Sequence, residues 1–228
     1  MSELADALRT VSERIARACD RAGRSRTSVR LVAVSKSVPG PRVREMVACG
    51  QALFGENRVQ EALEKMPIVG PGASWHLVGH LQRNKARHAV GRFEMIHSVD
   101  SVELAGEIDK RCAVAGITQP VLLEINLARE ETKAGVHEED LPALLEAVSS
   151  LPHVDLCGLM CIPPPGARAE DSRPFFARLR EIRDQAAARG GWPLPELSMG
   201  MTDDFEVAVE EGATLVRVGR GLFGERGA

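Results

Sequence analysis

Short apolar runs alternate along this chain with longer amphipathic stretches. The runs at 30–35, 52–55, 75–79, 95–98, 120–127, 155–161, 196–199 and 214–218 predict β-strands. Between them, apolar positions at helical spacing predict helices near 41–49, 58–66, 83–90, 101–115, 138–150, 171–189 and 203–211. A further helix over 3–22 opens the chain, with Leu4, Leu8, Val11, Ile15 and Ala18 in one stripe that ends before Gly23. Asp100 with Glu103, and Asp203 with Glu206, have the spacing of capping boxes at helix starts. Gly116 and Gly212 close the same two helices.

Eight strands joined by seven helices, with no long linker or break in composition, predict an α/β fold in one domain, 1–228. Strand count and length favour a closed (β/α)8 TIM-type barrel, slightly shorter than usual. A doubly wound open sheet is the alternative. No G-x-G-x-x-G follows its first strand, which weakens the dinucleotide-binding version.

Composition narrows the partners. The net charge is −3 over 228 residues, which points to neither a nucleic-acid surface nor an anionic membrane. No apolar run is long enough to span a bilayer, and no secretory signal opens the chain, so the expected location is the cytoplasm. Five scattered cysteines fit reduced thiols in that compartment. The chain has no tyrosine, so no phenolic acid or base is available within it.

Candidate chemistry starts at Lys36, which ends the apolar run Val29–Ser35. It shares strand parity with Val32 and Val34 and so points to their side, at the strand's C-terminal edge. Partial desolvation there favours the neutral amine, which attacks an aldehyde to form an imine. The alternative is a side chain that snorkels into water. Strand seven runs into Ser198-Met199-Gly200-Met201-Thr202-Asp203, and strand eight ends in Arg217-Val218-Gly219-Arg220-Gly221. Barrels of this kind often hold phosphate beside those two loops, on hydroxyls and backbone N–H groups. Ordinary caps and turns read the same way, and Asp203 and Asp204 oppose an anion unless they face solvent. Arg217 interrupts an apolar strand and needs a partner: a carboxylate on a neighbouring strand, or the ring nitrogen of a bound cofactor. Pyridoxal phosphate pairs a lysine imine with such an Asp or Arg.

Six segments occur in a familiar order and spacing: Val34-Ser35-Lys36, Phe54–Glu61, His76–Lys85, Gly158-Leu159-Met160, Leu197–Met201 and Val216–Gly219. Together they resemble the pyridoxal 5′-phosphate homeostasis proteins, single-domain relatives of the alanine racemase N-terminal barrel, over nearly the whole chain. The resemblance implies that Lys36 forms the internal aldimine and that the Ser198–Thr202 turn, with Met201, and the Gly219–Arg220 turn hold the phosphate. By the same resemblance Arg217 approaches the pyridine nitrogen and Asn57 lines the ring pocket. Thr202 stands where serine is frequent, and Arg220-Gly221 replaces smaller residues. Arg220 either adds a charge contact or points outward.

His76 and His80 are four apart but flank a strand and its loop, so a structural role is expected rather than a metal. Glu124 and Asn126 share one face of strand five, as a polar layer in the barrel or as partners of Arg217. The loop 128–135 either covers the barrel mouth or is a solvated turn. Three functions follow. One is a monomeric carrier of pyridoxal phosphate that buffers the cofactor or delivers it to apoenzymes, with little or no catalysis. Another is an amino-acid racemase, and the third an aldolase using Lys36 on a phosphorylated sugar. Racemisation needs acid–base groups on both faces of the substrate carbanion. In alanine racemases a tyrosine supplies the second and another domain closes the site, and this chain carries neither. An arginine at the ring nitrogen also disfavours its protonation and weakens the electron sink. The aldolase lacks an evident acid–base partner. The carrier is the favoured reading.

Overall fold

The computed structural model describes residues 2–130, 132–166 and 168–224. Glu131 of the expected mouth loop, and the outermost residues of the 1–228 span, lie outside them. The strands are β1 (Arg30–Val34), β2 (Leu53–Glu56), β3 (Ser74–Leu77), β4 (Met95–Val99), β5 (Gln119–Ile125), β6 (Val154–Cys161), β7 (Glu196–Ser198) and β8 (Leu215–Val218). They pair in chain order, all parallel, and β8 pairs back onto β1 with Val32 opposite Arg217. The barrel is closed, as the alternation of runs predicts, and the open sheet is excluded.

Strand alternation sorts the side chains into two cores. Val32, Met95, Leu122, Met160 and Leu215 face inward and plug the barrel. Their neighbours, among them Ala33, Ile96, Leu123, Leu159 and Val216, face outward into the larger core beneath the helices. Full burial of each leucine or valine contributes about 1.5–3 kcal/mol. Gly158 sits at an irregularity between β5 and β6, where a Cβ would lie 1.9 Å from the Glu196 carbonyl oxygen. No side chain fits there.

The helices are α1 (Glu3–Arg21), α2 (Gly40–Ala48), α3 (Val59–Val69), α4 (Ala86–Ala89), α5 (Val102–Ala115), α6 (Leu141–Ser149), α7 (Arg173–Gly190), α8 (Phe205–Glu210) and α9 (Arg220–Phe223). The stretch 83–90 is a 3₁₀ turn followed by the single turn of α4. α9 has no counterpart in the apolar pattern. Neither expected capping box forms. The N-cap of α5 is Ser101, whose hydroxyl donates to Asp100 (3.3 Å) instead of capping the helix. α8 starts later, at Phe205, and Asp203 and Asp204 turn to other partners. Gly116 does close α5 in the left-handed conformation.

Candidate functional site

Lys36 stands two residues beyond β1 and keeps the inward parity of Val32 and Val34. With Val34 it lines a cleft of about 230 Å³ at the C-terminal mouth of the barrel. Asn57, just past β2, forms another wall. Gly79 lets that wall come close, because a Cβ there would meet the Asn57 backbone oxygen at 2.4 Å. From the far side come Met201 and Thr202 of the β7–α8 turn, and Arg217, Gly219 and Arg220 of β8 and its turn. Seven of the eight residues singled out in the sequence therefore meet around one cleft.

Ser198 is the eighth, and its side chain does not line the cleft. Its hydroxyl lies fully buried behind the pocket, accepting from Arg217 Nη1 at 2.5 Å and pairing with His97 Nδ1 at 2.9 Å. Arg217 Nη2 donates to the Cys161 carbonyl at 2.9 Å. The hydrogen bonds of Arg217 thus go to a hydroxyl and a backbone oxygen. A carboxylate partner on a neighbouring strand is not among them. Desolvation lowers the Arg217 pKa from its ordinary value, and two anchored nitrogens fix the plane of the guanidinium at the pocket floor.

The chain behind Arg217 continues inward, with His76 Nδ1 at 2.8 Å from His97 Nε2. Arg217, Ser198, His97 and His76 thus form one continuous chain of hydrogen bonds, whose proton order is set by the tautomers of the two rings. His76 Nε2 is left buried without a partner. Burial drives the His76 pKa down to about 3 and that of His97 well below its ordinary value. Both rings are therefore neutral. An NMR titration is expected to show no protonation of His76 above about pH 4 and none of His97 near neutral pH in the folded protein. A midpoint between pH 5 and 7 at either ring would contradict the arrangement. His76 is buried and bonded to His97, and no group of three or more His, Cys, Asp or Glu that could hold a metal occurs among the described residues.

At the phosphate side, Thr202 Oγ1 lies 3.4 Å from Gly221 N and ties the β7–α8 turn to the start of α9. Asp204 accepts from Met201 N (2.7 Å) and from the Ser172 hydroxyl (2.8 Å). Asp203 lines the cleft while its carboxylate pairs with Arg220 and stays largely in solvent. The two acids are thus engaged, and Arg220 borders the cleft as one half of an ion pair. Glu124 faces the barrel interior and makes no hydrogen bond to Arg217. Burial, helped by the Asp100 charge and opposed by Arg217, pushes its carboxyl up to about 7. It belongs to the polar layer. Lys133 of the 128–135 loop donates to Glu130 (2.9 Å) and to the Pro163 carbonyl (3.2 Å), so that loop reaches the mouth.

Val78, Ile162, Asp203 and His97 were not singled out as site residues. The alternation Met95-Ile96-His97 carries the signal for His97, since an inward Met95 requires an inward His97.

A closed parallel barrel with a lysine and an arginine converging at its C-terminal mouth defines the class represented by the alanine racemase N-terminal domain. The family model of that description matches residues 7–227. The chain belongs to the pyridoxal phosphate homeostasis protein family. It is 49% identical over 220 residues to the pyridoxal phosphate homeostasis protein of Aquifex aeolicus, covering 96% of each chain. The structure of PipY from Synechococcus elongatus PCC7942 with PLP bound superposes with a TM-score of 0.86 at 40% identity, covering 97% of this chain and 100% of that one. Alanine racemase of Clostridium difficile shares the fold alone, at 15% identity and a TM-score of 0.75 over 98% of this chain and 58% of its own.

Proposed function

We propose that this chain binds pyridoxal 5′-phosphate through Lys36 and serves in its homeostasis as a monomeric cytoplasmic carrier with little or no catalysis. The convergence of Lys36, Arg217, Thr202, Gly219 and Arg220 on one cleft carries the reading. The donor set suits the cofactor: an amine for an aldehyde, a fixed cation for a pyridine nitrogen, and a hydroxyl with a second cation for a phosphate. When bound, pyridoxal phosphate supplies an electrophilic aldehyde carbon and a ring able to accept electrons.

Lys36 acts as the nucleophile. Its amine would hold the aldehyde end of the cofactor covalently. Thr202, Gly219 and Arg220, with Met201, would hold the phosphate end, while Asn57 would wall the ring. Arg217 would present a positive charge to the ring nitrogen and disfavour its protonation, which would limit the electron withdrawal that amino-acid chemistry exploits. The absence of tyrosine from the sequence removes the phenol that a racemase would place opposite the lysine. Five free cysteines suit a reducing compartment. Among the described residues no helix is long and apolar enough to cross a membrane.

The test sets two assays side by side. Loaded protein is incubated with each common amino acid and scored for inversion or elimination, and separately with an apoenzyme that needs the cofactor. Activation of the apoenzyme without amino-acid turnover is the expected result. Sustained turnover of any amino acid would overturn the carrier reading in favour of an enzyme.

A further inference from the structure

The backbone on both sides of Lys36 is tied to a single turn of α3. On the N-terminal side, the Ser35 carbonyl accepts from Lys65 Nζ at 2.7 Å. On the C-terminal side, Ser37 N–H donates to Glu61 Oε1 at 2.5 Å. Glu61 and Lys65 are four residues apart on the helix and bond each other at 3.0 Å. Lys65 Nζ also lies 2.5 Å from Glu56 Oε1, which accepts the Ser35 hydroxyl at 2.6 Å. Four side chains thus close a loop of contacts around the one residue between Ser35 and Ser37.

Two observations argue against mere scaffolding. Lys65 is 5% exposed and Glu56 is 0% exposed, so this ion pair has given up its hydration. Buried pairs are frequently no more stabilising than apolar residues of the same volume. One that persists here, directed at the backbone of a nucleophile, calls for a positional role. Ser37 also holds φ at 63°, a left-handed conformation that a non-glycine residue keeps only when its surroundings impose it. The Glu61 carboxylate on its N–H is such an imposition. Without it, the turn is free to relax and to swing the Lys36 side chain.

We propose that Glu61 and Lys65 are positioning residues for Lys36, holding its turn so that Nζ enters the cleft aligned with the cofactor's aldehyde. The inference rests on the reading that Lys36 carries pyridoxal phosphate. Neither residue lines the cleft, so neither is expected to touch the cofactor. Their effect should fall on formation of the carbon–nitrogen bond and spare recognition of the phosphate and ring.

Pyridoxine 5′-phosphate separates these two contributions, because it keeps the ring and phosphate but has an alcohol in place of the aldehyde. Glu61→Ala leaves the buried Lys65–Glu56 pair intact. It is expected to slow borohydride-fixable attachment of pyridoxal phosphate to Lys36 by about 10- to 100-fold, the range for a modest misplacement of a reacting group. Its affinity for pyridoxine 5′-phosphate should stay unchanged. Glu61→Gln keeps an oxygen to accept from Ser37 N–H and should restore most of the rate. The double variant K65M/E56Q removes the buried charges together, so it folds without an orphaned ion, and it should show the same selective slowing. Peptide mass mapping of the unaltered protein is the control: label missing from Lys36 would overturn both the carrier site and this inference. With that label present, attachment at the normal rate in Glu61→Ala and in the double variant would overturn the positioning role alone. So would equal loss of both ligands, which would mean general loosening.

Discussion

Replacing Lys36 by alanine is expected to abolish the borohydride-stable label and to lower retention of pyridoxal phosphate on the order of 100-fold, about 2.7 kcal/mol. The remaining groups of the cleft, Thr202, Gly219, Arg220 and Arg217, still offer donors to the phosphate and ring. The variant should therefore bind pyridoxal phosphate and pyridoxine 5′-phosphate with similar affinity, whereas the unaltered protein should strongly prefer the aldehyde. Stability should change little, since Lys36 lies outside both apolar cores. Equilibrium dialysis with the two vitamers gives the comparison. Full aldehyde preference in Lys36→Ala, or label on another lysine, would move the covalent site elsewhere.

Substituting Lys65 by methionine alone carries the largest expected effect on stability. The change leaves Glu56 fully buried, with Ser35 as its one hydrogen-bond donor and its second oxygen unsatisfied. Breaking one side of a buried ion pair costs about 3–5 kcal/mol near pH 7. Burial already pushes the Glu56 carboxyl up, against the opposing pull of Lys65 and Ser35. Without Lys65 that pull weakens and the folded form binds a proton more readily than the unfolded chain does. A group raised in this way stabilises at low pH and loses that contribution as pH rises through its folded value. The deficit relative to the parent should therefore shrink on acidification toward about pH 4.3, the unfolded carboxyl value. The neutral His76–His97 pair weakens both proteins alike in acid and cancels in the difference. Urea unfolding at pH 7 and pH 5 measures it, and adding Glu56→Gln should recover most of the loss at pH 7. A cost below about 1 kcal/mol that is indifferent to pH would mean the pair is solvated after all.

The barrel was legible because parallel strands buried on both faces read as short, mostly apolar runs, and those runs overlap all eight strands. Inward parity also placed Lys36 and Arg217 correctly, since a period of two survives an error of a residue at a strand end. What parity could not show was depth. Ser198 and Thr202 are four residues apart, yet one hydroxyl sits behind Arg217 and the other borders the cleft. Caps failed for a related reason. Asp203 and Asp204 have the spacing to cap α8, but Arg220, Ser172 and Met201 compete for their carboxylates from elsewhere in the fold. Lys65 left a weaker trace. It lies three residues from Ala62 and four from Val69, on the buried face of α3, where a charge without a partner is costly. The partner, Glu56, lies on a different element, and no local pattern joins them.

β1 closes on β8, so Lys36 and Arg217 line one cleft although about 180 residues of chain separate them. During translation, at roughly 5–20 residues per second, Lys36 leaves the ribosome well before the groups that complete its cleft. A nascent or prematurely terminated polypeptide thus carries Lys36 without Thr202, Arg217, Gly219 and Arg220. With Lys36 as the proposed covalent site, full retention of the cofactor is expected only after synthesis has passed the final strand.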